Sequence, residues 1–526
     1  MPFSFVLFLF SLGAIFISDI LPVVNNSYKL TDFIVLFAPF FLFFLAKIEG
    51  KKFYLPIKST ILYLLFIVFS IISVFFAIDK EIALNYLFIY ISCYFFFVFA
   101  YNYKDYLDKY FKKFLVITSL FFILLFSINY LFKLNLFNEG GSLFFNYGHN
   151  QIGNFLVVGF TLVFPNLLSL LFLIFIILSY SRTAYLTLIL MILIQTFKKK
   201  LDKKILLPGV FFVLITLIFF ILTSKNILFT QNKKIFGVRD VYFSYALSSI
   251  KEKPLFGIGQ GNFLSAVSKR QVNWNENTTT AHNFILDILA ENGVIAAIFF
   301  TLFFISVFKN KRNHYFLAFL VLTLVFMLDF SYRFNLFLIL WFVLAGINSD
   351  EKQKIIDGKI LIFIIVLFTF IFGQINLLTN YYLNSDVSEK SLIFNPCRKE
   401  IFRKIIDNRI KEGKIIDAKK YLVRYDKFFG QSAHVILEEA AFYEKINELK
   451  KTLSLRNKAL KLHPLDMNNL SKILELLKDI KDEEEGKRIF TVLLKSIKQH
   501  IIYGKNTDLF RVIDIFCREE KLDCIK

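Results

Sequence analysis

Three residues whose side chains could bind an anion or accept a proton from a hydroxyl lie far apart in this chain. Arg182 and Arg239 carry guanidinium groups, whose planar fork forms bidentate hydrogen bonds to a diphosphate and stays charged at physiological pH. His282 carries an imidazole, whose ordinary pKa of about 6.5 lets it accept a proton from a hydroxyl near neutral pH. Two arginines on one diphosphate would also stabilise the charge of a departing diphosphate group.

Each of these residues also has a purely structural interpretation. An arginine beside an apolar run can extend its charge to the membrane surface, and this alone would account for Arg182. Arg239 precedes Asp240, and a surface ion pair between them would contribute little. A lone histidine such as His282 is more often structural than catalytic. The residue types leave both interpretations open.

Further polar residues stand at the ends of apolar segments. His149, Asn283 and Arg333 are secondary candidates for binding a ligand, although a structural role fits each of them as well. Acidic residues at comparable positions are scattered and lack metal-ligand spacing: Asp19, Asp79, Glu81, Glu139 and Asp329. This scatter argues against chemistry based on a divalent metal, so we expect no metal and no cofactor.

The elements that position these residues are membrane helices. Of 526 residues, 56% are hydrophobic, above the roughly 45 to 50% of a soluble domain. A helix needs roughly 17 to 25 mainly apolar residues to cross a bilayer. The sequence predicts an all-α polytopic bundle of about 12 to 13 spans, with the first retained rather than cleaved, at 3–24, 30–46, 59–78, 82–100, 114–132, 151–164, 167–180, 184–197, 205–223, 284–307, 315–330, 334–347 and 360–379.

The pair of segments that flanks Pro165 is ambiguous. It forms two short spans, a re-entrant hairpin, or one tilted span that would reverse the orientation of everything after it. The positive-inside rule favours the first two, because each predicted inner loop holds three to five Lys or Arg and each short outer segment holds one. The N-terminus is therefore predicted to be cytoplasmic, and the loop 224–283 and the tail to lie outside.

The net charge of +21 fits the lysines of cytoplasmic loops better than a nucleic-acid partner.

We divide the chain into a membrane domain, 1–379, and a soluble helical domain, 380–526. Segments 412–421 and 458–466 resemble parts of tetratricopeptide helix pairs, with an unrelated helical bundle as the alternative. Cys517 and Cys524 could pair in an oxidising compartment or remain free thiols.

The loop 224–283 is the longest insertion between predicted spans, and such loops usually carry function. It contains Gly257, Gly259 and Gly261, but no strand precedes them and no Lys-Ser/Thr pair follows. This excludes a nucleotide-binding loop. The glycines instead allow a tight turn or a close approach of the backbone to a ligand.

Three segments in order resemble the O-antigen ligase and polymerase family of polytopic glycan-transfer proteins. They are Ser-Tyr-Ser-Arg-Thr-Ala at 179–184; Arg239 followed by a helix-like stretch into Pro-Leu-Phe-Gly-Ile-Gly at 254–259; and Ala-His-Asn at 281–283 running into Glu-Asn-Gly at 291–293. The resemblance covers roughly residues 30–350. It implies a fold similar to C-type glycosyltransferases in a bacterial inner membrane.

The resemblance also implies a substrate and a mechanism. The donor would be a glycan on undecaprenyl diphosphate, with Arg182 and Arg239 at the diphosphate and His282 activating the acceptor hydroxyl. One displacement, without a metal, would invert the anomeric carbon on the outer face. A lipid A core sugar, another glycan or a protein hydroxyl could be the acceptor, and the tail, which would present a concave face to a peptide or partner protein, favours the last.

A transporter of polysaccharide or lipid is the alternative from another class. It would also have many spans and a positive cytoplasmic face. Transporters commonly show internal repeats and broken polar helices near the membrane midplane, however. Here the notable polar residues lie at span ends, and the two halves show no convincing repeat.

Overall fold

The computed structural model describes most of the chain in separate stretches. These are residues 1–20, 30–132, 148–164, 166–198, 239–271, 278–307, 315–351, 353–383, 388–394, 398–430, 432–463 and 466–480. Pro165, the predicted span 205–223, the beginning of the predicted outer loop and the three cysteines other than Cys93 lie outside the described residues.

Helices form at every predicted span that falls within the described residues. They are α1 (Phe3–Ile20), α2 (Leu30–Ile48), α3 (Ile57–Phe76), α4 (Lys80–Asn102), α5 (Lys104–Phe132), α6 (His149–Val163), α7 (Leu168–Leu178), α8 (Arg182–Lys198), α11 (Phe284–Val307), α12 (Tyr315–Leu328), α13 (Asn335–Asn348) and α14 (Gly358–Leu383). Between α8 and α11 lie α9 (Arg239–Glu252) and α10 (Phe263–Val267). Within the described residues, four helices, α3, α4, α5 and α11, are long and apolar enough to cross a membrane. The chain is an all-α polytopic membrane protein.

Helices α6 and α7 form a hairpin. The Nδ1 atom of His149, at the start of α6, lies 3.1 Å from the carbonyl oxygen of Ser179, directly after α7. The start of α6 and the end of α7 therefore lie side by side, which excludes a single continuous span through this region. A Cβ on Gly159 would contact Ser119 and Phe172, so the hairpin packs closely on itself and on α5.

One end of the bundle, which we call the sheet end, is closed by a two-stranded antiparallel sheet. Strand β1 (Phe53–Pro56) pairs with β2 (Gln353–Ile356) and so joins the loop after α2 to the loop after α13. The carboxylate of Glu351 accepts hydrogen bonds from the backbone N–H of Ser59, at 2.9 Å, and from its hydroxyl, at 2.7 Å. These bonds satisfy free donors in the first turn of α3. Both joined loops are among those predicted to be cytoplasmic.

The opposite end, which we call the arginine end, gathers the starts of α4, α8 and α13. The side chain of Asp19, at the end of α1, accepts a hydrogen bond from the backbone N–H of Leu336 in the first turn of α13, at 3.1 Å. The side-chain amide of Asn262 binds both backbone polar groups of Asp79, at 2.8 and 3.0 Å. This amide fastens the loop after α9 to the start of α4.

The tail is helical throughout its described part. Its helices are α15 (Ser391–Phe394), α16 (Lys399–Lys411), α17 (Ile415–Phe429), α18 (Ala433–Lys445), α19 (Leu449–Leu462) and α20 (Met467–Ile480). Consecutive helices share apolar cores that include Ala418, Leu422 and Ala440. The tetratricopeptide assignment and the domain boundary at 380 stay predictions.

The tail contacts the arginine end of the bundle. Lys399 forms a buried ion pair with Asp79, and its backbone N–H donates to the carboxylate of Glu81 at 3.2 Å. The hydroxyl of Ser268 donates to the carbonyl of Leu462 at 3.0 Å. The tail and the loop after α9 therefore lie at the same end of the bundle, which agrees with the prediction that both lie on one side of the membrane; which side that is stays a prediction.

Helix α11 is broken at Gly293, and the segment 254–259 fills the break. The N–H of Val294 bonds to the carbonyl of Pro254 at 2.9 Å, while the N–H of Ile258 bonds to the carbonyl of Ala290 at 3.0 Å. The loop thereby satisfies backbone groups that an unbroken helix would pair internally. Gly293 has φ of +82°, and a Cβ there would lie 2.1 Å from the carbonyl oxygen of Leu255.

We predict that Gly293→Ala destabilises the protein by about 2 kcal/mol or more, because both the backbone conformation and the close approach exclude a side chain. Gly13 in α1 is the matched control, since a Cβ there meets nothing within 4 Å. Thermal unfolding of the purified protein in detergent measures both variants. A Gly293→Ala protein as stable as Gly13→Ala would contradict the tight contact.

Candidate functional site

The turn between α7 and α8 presents Arg182 at the arginine end. Tyr180 adopts the left-handed conformation, with φ of 51°, which reverses the chain. The hydroxyl of Ser181 then accepts the N–H of Ala184 at 3.2 Å and caps α8. Arg182 is thus the first residue of the helix. Gly153 lies against this turn, since a Cβ there would come within 2.9 Å of Ser181.

Arg239, the first residue of α9, lies against the start of α8. Its Nη2 donates a hydrogen bond to the Thr183 hydroxyl at 3.2 Å, next to Arg182 in the chain. Its charge interacts with those of Asp329 and Arg182. The structure therefore brings the two predicted arginines together across 57 residues of sequence. An anion between them would be attracted by both.

His282 lies in an aromatic cage at the same place. Its ring stacks on Tyr242 at 5.0 Å between centroids and meets the edge of Phe330 at 4.9 Å. The backbone has φ of 55°, and its N–H donates to the hydroxyl of Thr280 at 3.1 Å. Strained conformations of this kind cluster at functional sites. The Nδ1 atom is buried and has no hydrogen-bond partner among the described residues.

Burial, and next the positive charge of Arg239, lower the pKa of His282 to about 3. The imidazole is therefore neutral throughout the physiological range and can accept a hydrogen bond. The unfolded chain takes up this proton below about pH 6.5, whereas the folded chain does not until about pH 3. Acidification between these values accordingly favours unfolding.

The secondary candidates take up structural contacts at the rim of the site. Asn283 caps α11, since its side-chain oxygen accepts the N–H of Leu286 at 3.0 Å, and its amide donates to the carbonyl of Met327 at 3.1 Å. His149 closes the hairpin onto Ser179, as described above. These contacts position the site, and a ligand-binding role for either residue stays a prediction.

Asp329 supplies negative charge beside Arg239. Its carboxylate accepts hydrogen bonds from the amide of Asn154 at 3.1 Å and the hydroxyl of Ser331 at 2.6 Å. Burial raises the pKa of Asp329, while the hydrogen bond from Ser331 and the charge of Arg239 oppose the rise. Asn154, on α6, thereby connects the hairpin to the segment between α12 and α13.

Arg333 is held by two carboxylates, Asp287 and Glu291, neither of which is among the predicted site residues. Its Nη2 lies 3.0 Å from Asp287 and 2.5 Å from Glu291, and its guanidinium covers the Tyr86 ring at 5.2 Å. Asp287 and Glu291 are four residues apart on α11, so they share one face. Two such carboxylates within an apolar span require a cation, so this signal could have identified both carboxylates from sequence, but not Arg333 as their partner.

Within the described residues, no group of three or more His, Cys, Asp or Glu side chains is placed to hold a metal ion. The mechanism without a metal or cofactor stays a prediction.

The structure thus places two arginines at helix starts and a caged histidine at one end of a polytopic membrane protein. Residues 167–301 of the chain match the family model described as O-antigen ligase. This segment contains Arg182, Arg239 and His282, but it is less than half of the chain. Comparisons with curated proteins and with solved structures gave no significant match.

The family match supports the resemblance to O-antigen ligases that the three motifs indicate. It supports glycan transfer in O-antigen or polysaccharide biosynthesis by a glycosyltransferase-like enzyme. The substrates that the family implies are a lipid-linked glycan and an acceptor, handled in a membrane.

We predict that His282 does not titrate between pH 5 and 8, whereas an exposed imidazole titrates near pH 6.5. Nuclear magnetic resonance of protein with isotope-labelled histidines measures this directly. Because the chain has only six histidines, the spectrum of His282→Ala assigns the signal. A His282 signal with a midpoint near pH 6.5 would contradict the burial of the imidazole beside Arg239.

Proposed function

We propose that the protein transfers a glycan from an undecaprenyl diphosphate carrier to an acceptor hydroxyl on the outer face of a bacterial inner membrane. The observation that carries this proposal is the convergence of Arg182, Arg239 and His282. The bond from Arg239 to Thr183, at 3.2 Å, joins α9 to α8, and the stacking of His282 on Tyr242, at 5.0 Å between ring centroids, joins the segment before α11 to α9.

In this proposal, Arg182 and Arg239 bind the diphosphate of the donor. Charge-assisted hydrogen bonds to its oxygens stabilise the negative charge that builds up as the glycan leaves. The lipid tail lies among the spans. The bond energy of the glycosyl diphosphate drives the reaction, so no nucleotide is required outside the membrane.

His282 accepts the proton of the acceptor hydroxyl while that oxygen attacks the anomeric carbon. The new carbon–oxygen bond forms as the bond to the diphosphate breaks, and the lipid diphosphate leaves with the electron pair. The carbon inverts in this single step. A bound diphosphate also offsets the charge of Arg239, one cause of the low pKa of His282, and so makes the imidazole a stronger base.

Three kinds of acceptor fit this reaction. A ligase would use a lipid A core sugar, a polymerase another glycan, and an oligosaccharyltransferase a protein hydroxyl. The contact of Ser268 with Leu462 holds the tail beside the loop after α9. A partner or acceptor bound by the tail would therefore be held near His282. A ligase-like reaction is our principal proposal, with the other two as alternatives.

We predict that His282→Ala, Arg182→Ala and Arg239→Ala each lower glycan transfer about 100-fold or more, since general bases and charge-stabilising groups contribute effects of this size. The arginine variants should raise the KM for the donor, whereas His282→Ala should mainly lower kcat. The measurement is transfer by the purified protein and by a strain that lacks the native copy.

Matched controls separate these roles from general damage. Arg270→Ala removes an arginine paired with the exposed Glu252, and His434→Ala removes a half-exposed tail histidine; both should keep transfer within about twofold.

Retained transfer in all three site variants would refute the site. Accumulated repeat units would indicate a polymerase, full-length lipid-linked glycan a ligase, and unmodified protein an oligosaccharyltransferase. Labelling of 224–283 from the cytoplasm would refute the orientation.

A further inference from the structure

Asp287 connects the buried cation Arg333 to the backbone beside His282. One oxygen of its carboxylate, Oδ1, accepts the backbone N–H of Ala281 at 2.7 Å. The other oxygen, Oδ2, accepts the hydroxyl of Tyr332 and lies 3.0 Å from Nη2 of Arg333. Asp287 is 2% exposed and Ala281 is 0% exposed, so these bonds are shielded from water.

Asp287 also bonds to the chain on the C-terminal side of His282. The backbone N–H of Asp287 donates to the carbonyl of Asn283 at 2.9 Å. The segment 281–287 is therefore fastened to Asp287 both before and after the histidine. This fastening opposes relaxation of His282 out of its left-handed conformation, where φ is 55°.

We propose that Asp287 is the positioning residue for His282: it holds the backbone of Ala281 so that the imidazole stays stacked on Tyr242 and against the edge of Phe330. This inference rests on the proposed function, because it assigns Asp287 a role in the step that His282 performs. Arg333 and Tyr332 fix the carboxylate, and the carboxylate fixes the loop.

Glu291 offers a matched control for this role. It lies one turn further along α11, is also buried, and contacts the same guanidinium at 2.5 Å. Its side chain interacts with the backbone of Gly261 instead of the segment around His282. Replacing either carboxylate leaves Arg333 with one partner, but only replacement of Asp287 releases Ala281.

The test compares Asp287→Ala with Glu291→Ala in the transfer assay. We expect Asp287→Ala to lower kcat about 100-fold with the donor KM within about threefold, since misplacement of a reacting group by about 1 Å costs this much. Glu291→Ala should lower kcat less than about fivefold. Asp287→Asn, which keeps an oxygen for Ala281, should recover part of the loss. Equal losses in both alanine variants would overturn the proposal and leave Asp287 as a counter-ion only.

A double-mutant comparison separates this inference from the proposed function. If Asp287 acts through His282, Asp287→Ala should cause no further loss in a His282→Ala background. Full activity of His282→Ala would refute the proposed function, whereas additive losses would refute only the positioning role. If Asp287→Ala does not fold, Tyr332→Phe removes one donor to the same carboxylate, and a lower kcat at unchanged donor KM is expected. Unchanged kcat in Tyr332→Phe would count against the proposal.

Discussion

The buried ion cluster of Arg333 with Asp287 and Glu291 is the interaction on which the arginine end depends. It joins the first turns of α11 to the segment between α12 and α13 in an apolar setting. Removing Arg333 would leave two buried carboxylates without a cation, at a cost of about 3 to 5 kcal/mol. The cluster therefore fixes where α11 begins, and α11 in turn fixes the segment 281–283 and the break at Gly293.

The break in α11 determines the course of the loop after α9. Because Gly293 interrupts the helix, the N–H of Val294 and the carbonyl of Ala290 lack helical partners and bond instead with the segment 254–259. Asn262 then fastens the loop to Asp79 at the start of α4, and Asp79 pairs with Lys399 of the tail. A series of polar contacts, each buried or partly buried, thus connects the tail to the elements that hold His282. The site is assembled from segments between residues 148 and 333, with the tail fastened beside it.

Much of the membrane half follows from sequence because hydropathy determines where a helix can cross a bilayer. The predicted span 284–307 has the bounds of α11, and Arg182 starts a helix at a span end, as its apolar surroundings indicate. Hydropathy alone does not distinguish a hairpin from one tilted span near Pro165, since both bury the same residues, and only the distribution of Lys and Arg favours a chain that turns back. The contact between His149 and Ser179 decides this, and such a contact depends on tertiary packing.

The details of the site were less accessible from sequence. The glycines at 257, 259 and 261 adopt the left-handed conformation that a tight turn requires, with φ of 69°, 91° and 72°. Two of their close approaches are to the protein itself: a Cβ on Gly257 would lie 2.3 Å from the carbonyl oxygen of Glu291 in α11, and a Cβ on Gly259 would lie 2.3 Å from the Cβ of Ala77. Asp287 lies within the third motif segment, 281–293, but its carboxylate pairs with Arg333, 46 residues further along. No local pattern encodes a pairing of that separation.

Binding of a short prenyl diphosphate to the purified protein tests most directly whether Arg182 and Arg239 form a diphosphate site. Isothermal titration calorimetry should show Kd rising about tenfold or more in Arg182→Ala and in Arg239→Ala, because each loses charge-assisted hydrogen bonds. His282→Ala should bind within about twofold of the native protein, since the imidazole acts on the acceptor. The same Kd in the native protein and in both arginine variants would contradict the account.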